Sequence, residues 1–337
     1  LKKEAKLYNT RPAKWYVPKS NTGNTGADYY FAENPTFGAV FTYHLNGDFS
    51  TSKQKRMKKE SQLNRSNSNI PFPGWDNLEK EKNEKKSLVW LSIKDSDGNV
   101  INNISQPAKK GTSRISWNLR HSTSTPIDPD RVSSGQTRRW RSRGGPMAVP
   151  GKYTASLYLE SNGKYRMLDG PISFDVNSIR DGVLKGADYD TYNSYRNEYS
   201  KFQSDLALIN KMMSENSKML NAYKTSASKA LTEPGFLSKE LNDAEKTINH
   251  LELQINGNSS RSEIGERNPP TIQTHLRVAG SGMRTTYGPT GLHKRSLSIA
   301  KKMLLELMPK VMKMHNNSLP LIKSKLKSIN APDVLRD

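Results

Sequence analysis

The 337-residue sequence contains no cysteine, which excludes disulfides, thiolate metal sites and a cysteine nucleophile together. The compartment stays open, because a sufficiently large domain can be stable outside the cytosol without disulfides. No apolar run approaches the roughly 20 residues that cross a bilayer, so no transmembrane segment is expected. Apolar residues make up only 33% of the chain and aromatic residues 8%, so a core can form only where they gather into periodic segments. Catalytic signatures are missing too. There is no Gly-x-Ser-x-Gly elbow and no phosphate-binding glycine loop, since no strand precedes Gly280-Ser281-Gly282. The six histidines (His44, His121, His250, His275, His293 and His315) include no pair spaced as zinc ligands on a helix. No metal or cofactor is therefore expected. The chain begins Leu1-Lys2-Lys3-Glu4, without a Met or a signal-like apolar segment, and so reads as a fragment or a processed product.

Positive charge is what the sequence has in excess. Lys and Arg number 53 against 32 Asp and Glu, a formal net charge of +21, and the surplus is shared by both halves. Such a surplus favours loose association with polyanions such as nucleic acid, lipopolysaccharide or an acidic partner. It is equally the mark of a solvated, self-repelling surface.

The apolar pattern changes period between about Asn177 and Asp188. Before it, Ile115-Ser116-Trp117-Asn118-Leu119 and Tyr153 to Leu159 alternate, as half-buried strands do. After it, Tyr192, Tyr195, Tyr199, Phe202, Leu206, Ile209 and Met213 recur every three or four residues, a seam on one helix face. Two domains are expected: an immunoglobulin- or fibronectin-like β-sandwich over 28–177, then an antiparallel helical bundle over 188–330. Residues 1–27 read as an N-terminal arm or linker. A lysine-rich insertion at 51–86 interrupts the sandwich, with a short exposed helix over Ser52 to Leu63 and an extended Ile70 to Trp75 that packs its Trp. Strands are expected at Tyr29 to Phe31, Ala39 to Leu45, Leu88 to Lys94, Val100 to Ser105, Thr112 to Arg120, Gly151 to Glu160 and Ile172 to Val176. In the second half, helices are expected over about 188–230, from Leu237 to Ile255, from Pro269 to about Ala279, and beyond Pro289, the last bent at Pro309 and Pro320.

Three constellations invite a chemical reading. Asp95-Ser96-Asp97-Gly98-Asn99 has the spacing that opens a calcium loop, but Gln106 stands where an EF-hand needs Glu, and a tight hairpin is the preferred reading. Arg138-Arg139-Trp140-Arg141-Ser142-Arg143 is the densest cationic patch. Its guanidinium groups can grip phosphate or carboxylate and its indole can stack on a base or sugar, so Arg138, Arg139, Trp140, Arg141 and Arg143 are the candidate binding residues. The plainer alternative is an exposed loop anchored by its Trp on the sandwich or against a neighbouring domain. Finally, Asp and Glu fall in turns, helix surfaces and the charged insertion, with no pair marked for acid–base work. No catalytic residue is assigned.

Several segments in order carry a resemblance: Tyr30-Phe31-Ala32-Glu33-Asn34-Pro35, Gly38 to Tyr43, Ile70-Pro71-Phe72-Pro73-Gly74-Trp75, Ile115 to Arg120, Gly145-Pro146 with Val149 to Thr154, and Asn268-Pro269-Pro270-Thr271-Ile272. Together, from about Tyr29 to Pro332, they resemble the C-terminal part of large exported bacterial proteins with an N-terminal sortilin-like propeller of BNR repeats, often labelled glycosyl hydrolases. The resemblance implies a periplasmic, outer-membrane-associated or secreted protein of a Gram-negative bacterium of the Bacteroidota type. No Ser-x-Asp-x-Gly-x-x-Trp repeat signature occurs here, so the propeller and any glycan-hydrolysing site in it lie outside this chain. The expected function is a non-catalytic accessory or interaction region. Its implied partners are the parent's propeller, another envelope protein or a polysaccharide, in preference to nucleic acid. The alternative is a substrate-contacting part of a glycoside hydrolase-like enzyme.

Overall fold

The computed structural model describes residues 3–18, 32, 34–123, 125–129, 145–179, 185–232 and 235–335. The chain divides into two compact units, Leu1–Thr123 with Gly144–Val183, and Ser124–Arg143 with Leu184–Asp337.

Among the described residues of the first unit there are eight strands: β1 (Ala5–Leu7), β2 (Ala13–Trp15), β3 (Ala39–Leu45), β4 (Leu88–Lys94), β5 (Val100–Pro107), β6 (Gly111–Trp117), β7 (Gly151–Ser161) and β8 (Lys164–Ser178). Strand β3 illustrates the pattern. Ala39, Phe41, Tyr43 and Leu45 are buried while Val40, Thr42 and His44 point the other way, as a period of two requires. One sheet has the order β1-β3-β6 and is antiparallel throughout. The other has the order β2-β8-β7-β4-β5, with β2 running parallel to β8 and the remaining pairs antiparallel. Both contribute to one core. Phe41 of β3 meets Phe174 of β8 edge-on at 5.0 Å, and Trp117 of β6 meets Tyr153 of β7 at 5.3 Å, spacings at which aromatic pairs attract beyond their burial. The buried polar tips are satisfied by backbone: Trp117 Nε1 donates to Arg120 O at 2.8 Å, Trp15 Nε1 to Ala148 O at 2.7 Å and Tyr153 Oη to Val149 O at 2.6 Å.

The expected immunoglobulin- or fibronectin-like sandwich with an antiparallel bundle is corrected by this topology. The parallel β2–β8 pair and the order β2-β8-β7-β4-β5 do not reproduce the seven-strand arrangement of those folds. The segment read as an N-terminal arm also departs from expectation, since it contributes β1 to one sheet and β2 to the other. A third link ties β1 down. Asp169 of β8 accepts the Leu7 backbone N–H at 2.7 Å, with Lys6 Nζ at 3.6 Å. The expected strand at Tyr29 to Phe31 lies outside the described residues.

The insertion forms α1 (Ser52–Arg65) and α2 (Trp75–Asn83), neither with a buried residue. A capping box between Thr51 and Gln54 starts α1. Arg56 joins the helices, donating to both Glu81 oxygens at 2.8 Å and to Glu60 at 2.6 Å. Trp75 does not pack into the domain: it is 77% exposed, with its ring centroid 5.2 Å from that of Phe72 in an edge-on contact.

The second unit contains α3 (Tyr189–Ala227), α4 (Ser238–Asn256), α5 (Ser259–Glu263), α6 (Ile272–Ser281), α7 (Gly291–Lys313), a π turn (Met314–Ser318) and α8 (Leu319–Ser328). Asp188 caps α3 by accepting the Thr191 N–H at 2.8 Å. All seven seam residues from Tyr192 to Met213 are buried. The six from Tyr195 to Met213 share one core cluster with Leu241, Ile248 and Leu251 of α4 and with Leu297, Leu304, Leu307 and Val311 of α7. The helices range from 39 residues in α3 to five in α5, interrupted by the π turn, rather than forming a regular bundle of similar antiparallel helices. Pro309 is inside α7, and Pro320 occupies the first turn of α8 directly after the π turn.

Replacement of Phe41 by Ala is expected to lower the unfolding free energy by about 3–5 kcal/mol, read from a urea titration, because a fully buried ring leaves a cavity between the sheets. Burial alone would raise the Asp169 carboxyl. The N–H groups of Leu7 and Gly170 and the charges of Lys6 and Lys3 outweigh it and hold the carboxyl below its ordinary 3.8. The unfolded chain therefore binds the proton more readily, and stability from this group is complete above pH 3.8 and is lost as pH falls through the lower folded value. Asp169→Asn should destabilise the neutral protein and flatten the acid limb of its stability–pH curve, both measurable by thermal unfolding.

Candidate functional site

The outer row of the five-stranded sheet brings together residues that are far apart in sequence. In β4 the buried row is Val89, Leu91 and Ile93, so the intervening Trp90 projects from the opposite face. Trp90 stands opposite Tyr158 of β7, and Tyr158 opposite Met167 of β8. One row along, Leu88 stands opposite Glu160 and Glu160 opposite Tyr165. Trp90 Nε1 donates to Glu160 Oε2 at 2.7 Å, and the Trp90 and Tyr165 rings lie 6.3 Å apart with a 53° tilt. Tyr165 is 61% exposed. Its phenol donates to Glu160, and that hydrogen bond, with some desolvation and the carboxylate's charge, raises its pKa above the ordinary 10.0. The result is a face of aromatic rings around a fixed carboxylate.

At the end of the same strands is a cationic hollow of about 370 Å³. It is lined by Lys86 and Ser87, which enter β4, by Lys109 and Lys110, which follow β5, and by Asp48 and Gln54. Leu88 pairs with Pro107 and Trp90 with Ser105, so the hollow begins one strand pair from the aromatic row. Among the described residues, Asp48 is already engaged. The Ser50 backbone N–H and hydroxyl, then Lys55 at 3.1 Å, lower its carboxyl to about 2. Ser87 Oγ is within 3.0 Å of Ser161 Oγ, and the Ala108 N–H donates to Ser87 O at 2.9 Å, which fixes the rim. The lysines themselves are exposed.

The sequence-derived candidates Arg138, Arg139, Trp140, Arg141 and Arg143 lie outside the described residues. At Asp95, the side chain accepts the Asp97 and Asn99 N–H groups at 3.1 and 2.8 Å, and Gly98 takes φ +83°. These are the contacts of the hairpin turn between β4 and β5. Among the described residues, no group of three His, Cys, Asp or Glu is placed to hold a metal ion, and no helix is long and apolar enough to cross a membrane. Sequence reasoning passed over Trp90, Glu160 and Tyr165. The available signal was that Trp90 alternates with buried Val89 and Leu91, which puts a large ring on the row turned away from the core.

No protein-family model matches the chain, and no curated protein matches it. The resemblance to propeller-bearing exported proteins therefore rests on its short motifs alone.

Glu160→Gln removes the carboxylate that holds the Tyr165 phenol protonated. The Tyr165 titration should then move down toward 10.0, as followed by NMR of labelled tyrosine rings, with the other tyrosines unmoved.

Proposed function

We propose that the chain is a non-catalytic interaction region that binds an anionic polysaccharide on the outer face of its five-stranded sheet. The observation that carries this reading is the adjacency of the Trp90, Tyr158 and Tyr165 row to the Lys86, Lys109 and Lys110 hollow. Sugar rings present apolar C–H faces that lie against aromatic rings, and their hydroxyls reach a fixed acceptor such as Glu160. Uronate or sulfate groups along such a chain meet the lysines, whose attraction extends about 10 Å at moderate salt. An open sheet face suits an extended polymer better than it suits a small substrate that needs an enclosed pocket.

The role is that of the accessory region implied by the resemblance to exported envelope proteins, with the polysaccharide as the partner.

Affinity electrophoresis of the full chain through gels containing alginate or neutral dextran tests the reading. Retardation by alginate should fade as salt rises and should weaken about tenfold in the triple variant Lys86→Ala/Lys109→Ala/Lys110→Ala, since three exposed charges at about 0.5 kcal/mol each sum to about 1.5 kcal/mol. Tyr165→Ala should weaken it at every salt concentration. Equal mobility in alginate and dextran, or retardation indifferent to the lysines, would overturn the reading.

A further inference from the structure

We infer that the helical unit carries a separate binding site for a small organic carboxylate with an apolar body, in the hollow where α3 meets the π turn. The hollow has a volume of about 560 Å³. Its decisive residue is Asn216, which occupies a seam position of α3 between Met213 and Leu220 and is fully buried. An amide in an apolar seam must find partners for both ends. One end is met: Asn216 Oδ1 lies 2.7 Å from His315 Nδ1, so that nitrogen donates the proton. The other end, Asn216 Nδ2, is buried with no partner. Turning the amide over merely exchanges which end is orphaned, because the single imidazole nitrogen pairs with either. Buried donors without a partner are uncommon in folded proteins, and this one belongs to the lining of an open hollow.

The surroundings specify the missing acceptor. Lys323 brings a positive charge to the same wall, while Met219, Tyr223 and Leu319 provide apolar surface. One carboxylate, Glu215, also lines the hollow. It pairs with Lys211 at 3.7 Å, and Lys211 in turn holds Asp128 at 3.0 Å, so its charge is partly compensated from outside the pocket. A carboxylate with its charge toward Lys323 and its carbon skeleton along Met219 answers the exposed lining, and a small shift of that lining opens the covered Asn216 Nδ2 to one of its oxygens. The backbone is adapted to the same place. Pro320 has no N–H for the carbonyl of Asn316 four residues earlier, and the wide turn over Met314–Ser318 accommodates it. That turn carries His315 to the amide, and π turns recur at functional sites.

Calorimetric titration of the full chain with 3-phenylpropanoate tests the assignment. Saturable binding at one site per chain is expected, weakened about tenfold or more by Asn216→Leu and by Lys323→Met, since each removes a hydrogen bond or ion pair to a charged group. The uncharged 3-phenylpropanamide should bind weaker by a similar factor. Leu completes the apolar seam at 216, so that variant is expected to unfold at or above the parent temperature, and Lys323→Met provides an independent surface change. No saturable binding by the parent chain, or affinity unchanged in both variants, would overturn the inference. Alginate binding does not enter this readout, so the two sites stand or fall separately.

Discussion

The aromatic contact between the two sheets is the constraint on which the first unit depends. Phe41 and Trp117 reach it from the three-stranded sheet, Tyr153 and Phe174 from the five-stranded one, with edge-on pairs at 5.0 and 5.3 Å. Each ring fixes the register of its strand, because a slip of one residue would turn it to the opposite face. The same register sets Trp90, Tyr158 and Tyr165 outward. The inner cluster thus determines the outer face, and the candidate binding row is the solvent-side image of the core.

The polar groups work at the margins of this arrangement. The Asp169 contact with Leu7 fastens a three-residue strand that could not hold itself by its own length, and Arg166 pairs with Glu4 beside it. Arg56 binds the two insertion helices to each other without burying any residue of either. In the helical unit, by contrast, a polar side chain is fully buried in the seam: Asn216, which meets His315 at the π turn before Pro320.

Legibility in the sequence followed the length of the periodic signal. Ala39 to Leu45 reads as a strand with the bounds it has in the fold, and the 3–4 spacing from Tyr192 to Met213 gives the buried face of α3 residue by residue. Ala5–Leu7 and Ala13–Trp15 are too short to display a period, so a stretch that looks like an arm completes both sheets. Strand order was illegible for another reason: alternation says which side of a strand is buried and nothing of its neighbour, and the parallel pairing of Ala13 with Val176 is a contact between the ends of the unit. The sites were hidden by the same logic. Trp90, Glu160 and Tyr165 converge only through β4–β7–β8 pairing, and Asn216 reads in sequence as an ordinary polar interruption of a helix.

The placement of the two N-terminal strands has a temporal consequence. Strand β2 pairs with β8 across 163 positions of chain, as Ala13 lies beside Val176, and β1 is anchored by Asp169. During synthesis β2 emerges long before β8, so neither the edge of the five-stranded sheet nor the Leu7 anchor can form until the last hairpin, β7–β8, has left the ribosome. Pairing this distant in sequence makes folding slow relative to locally connected folds. Strand β2 is thus among the last parts of the unit to settle, although it precedes most of the unit in sequence, and it stays without its partner while the remainder of the unit is made.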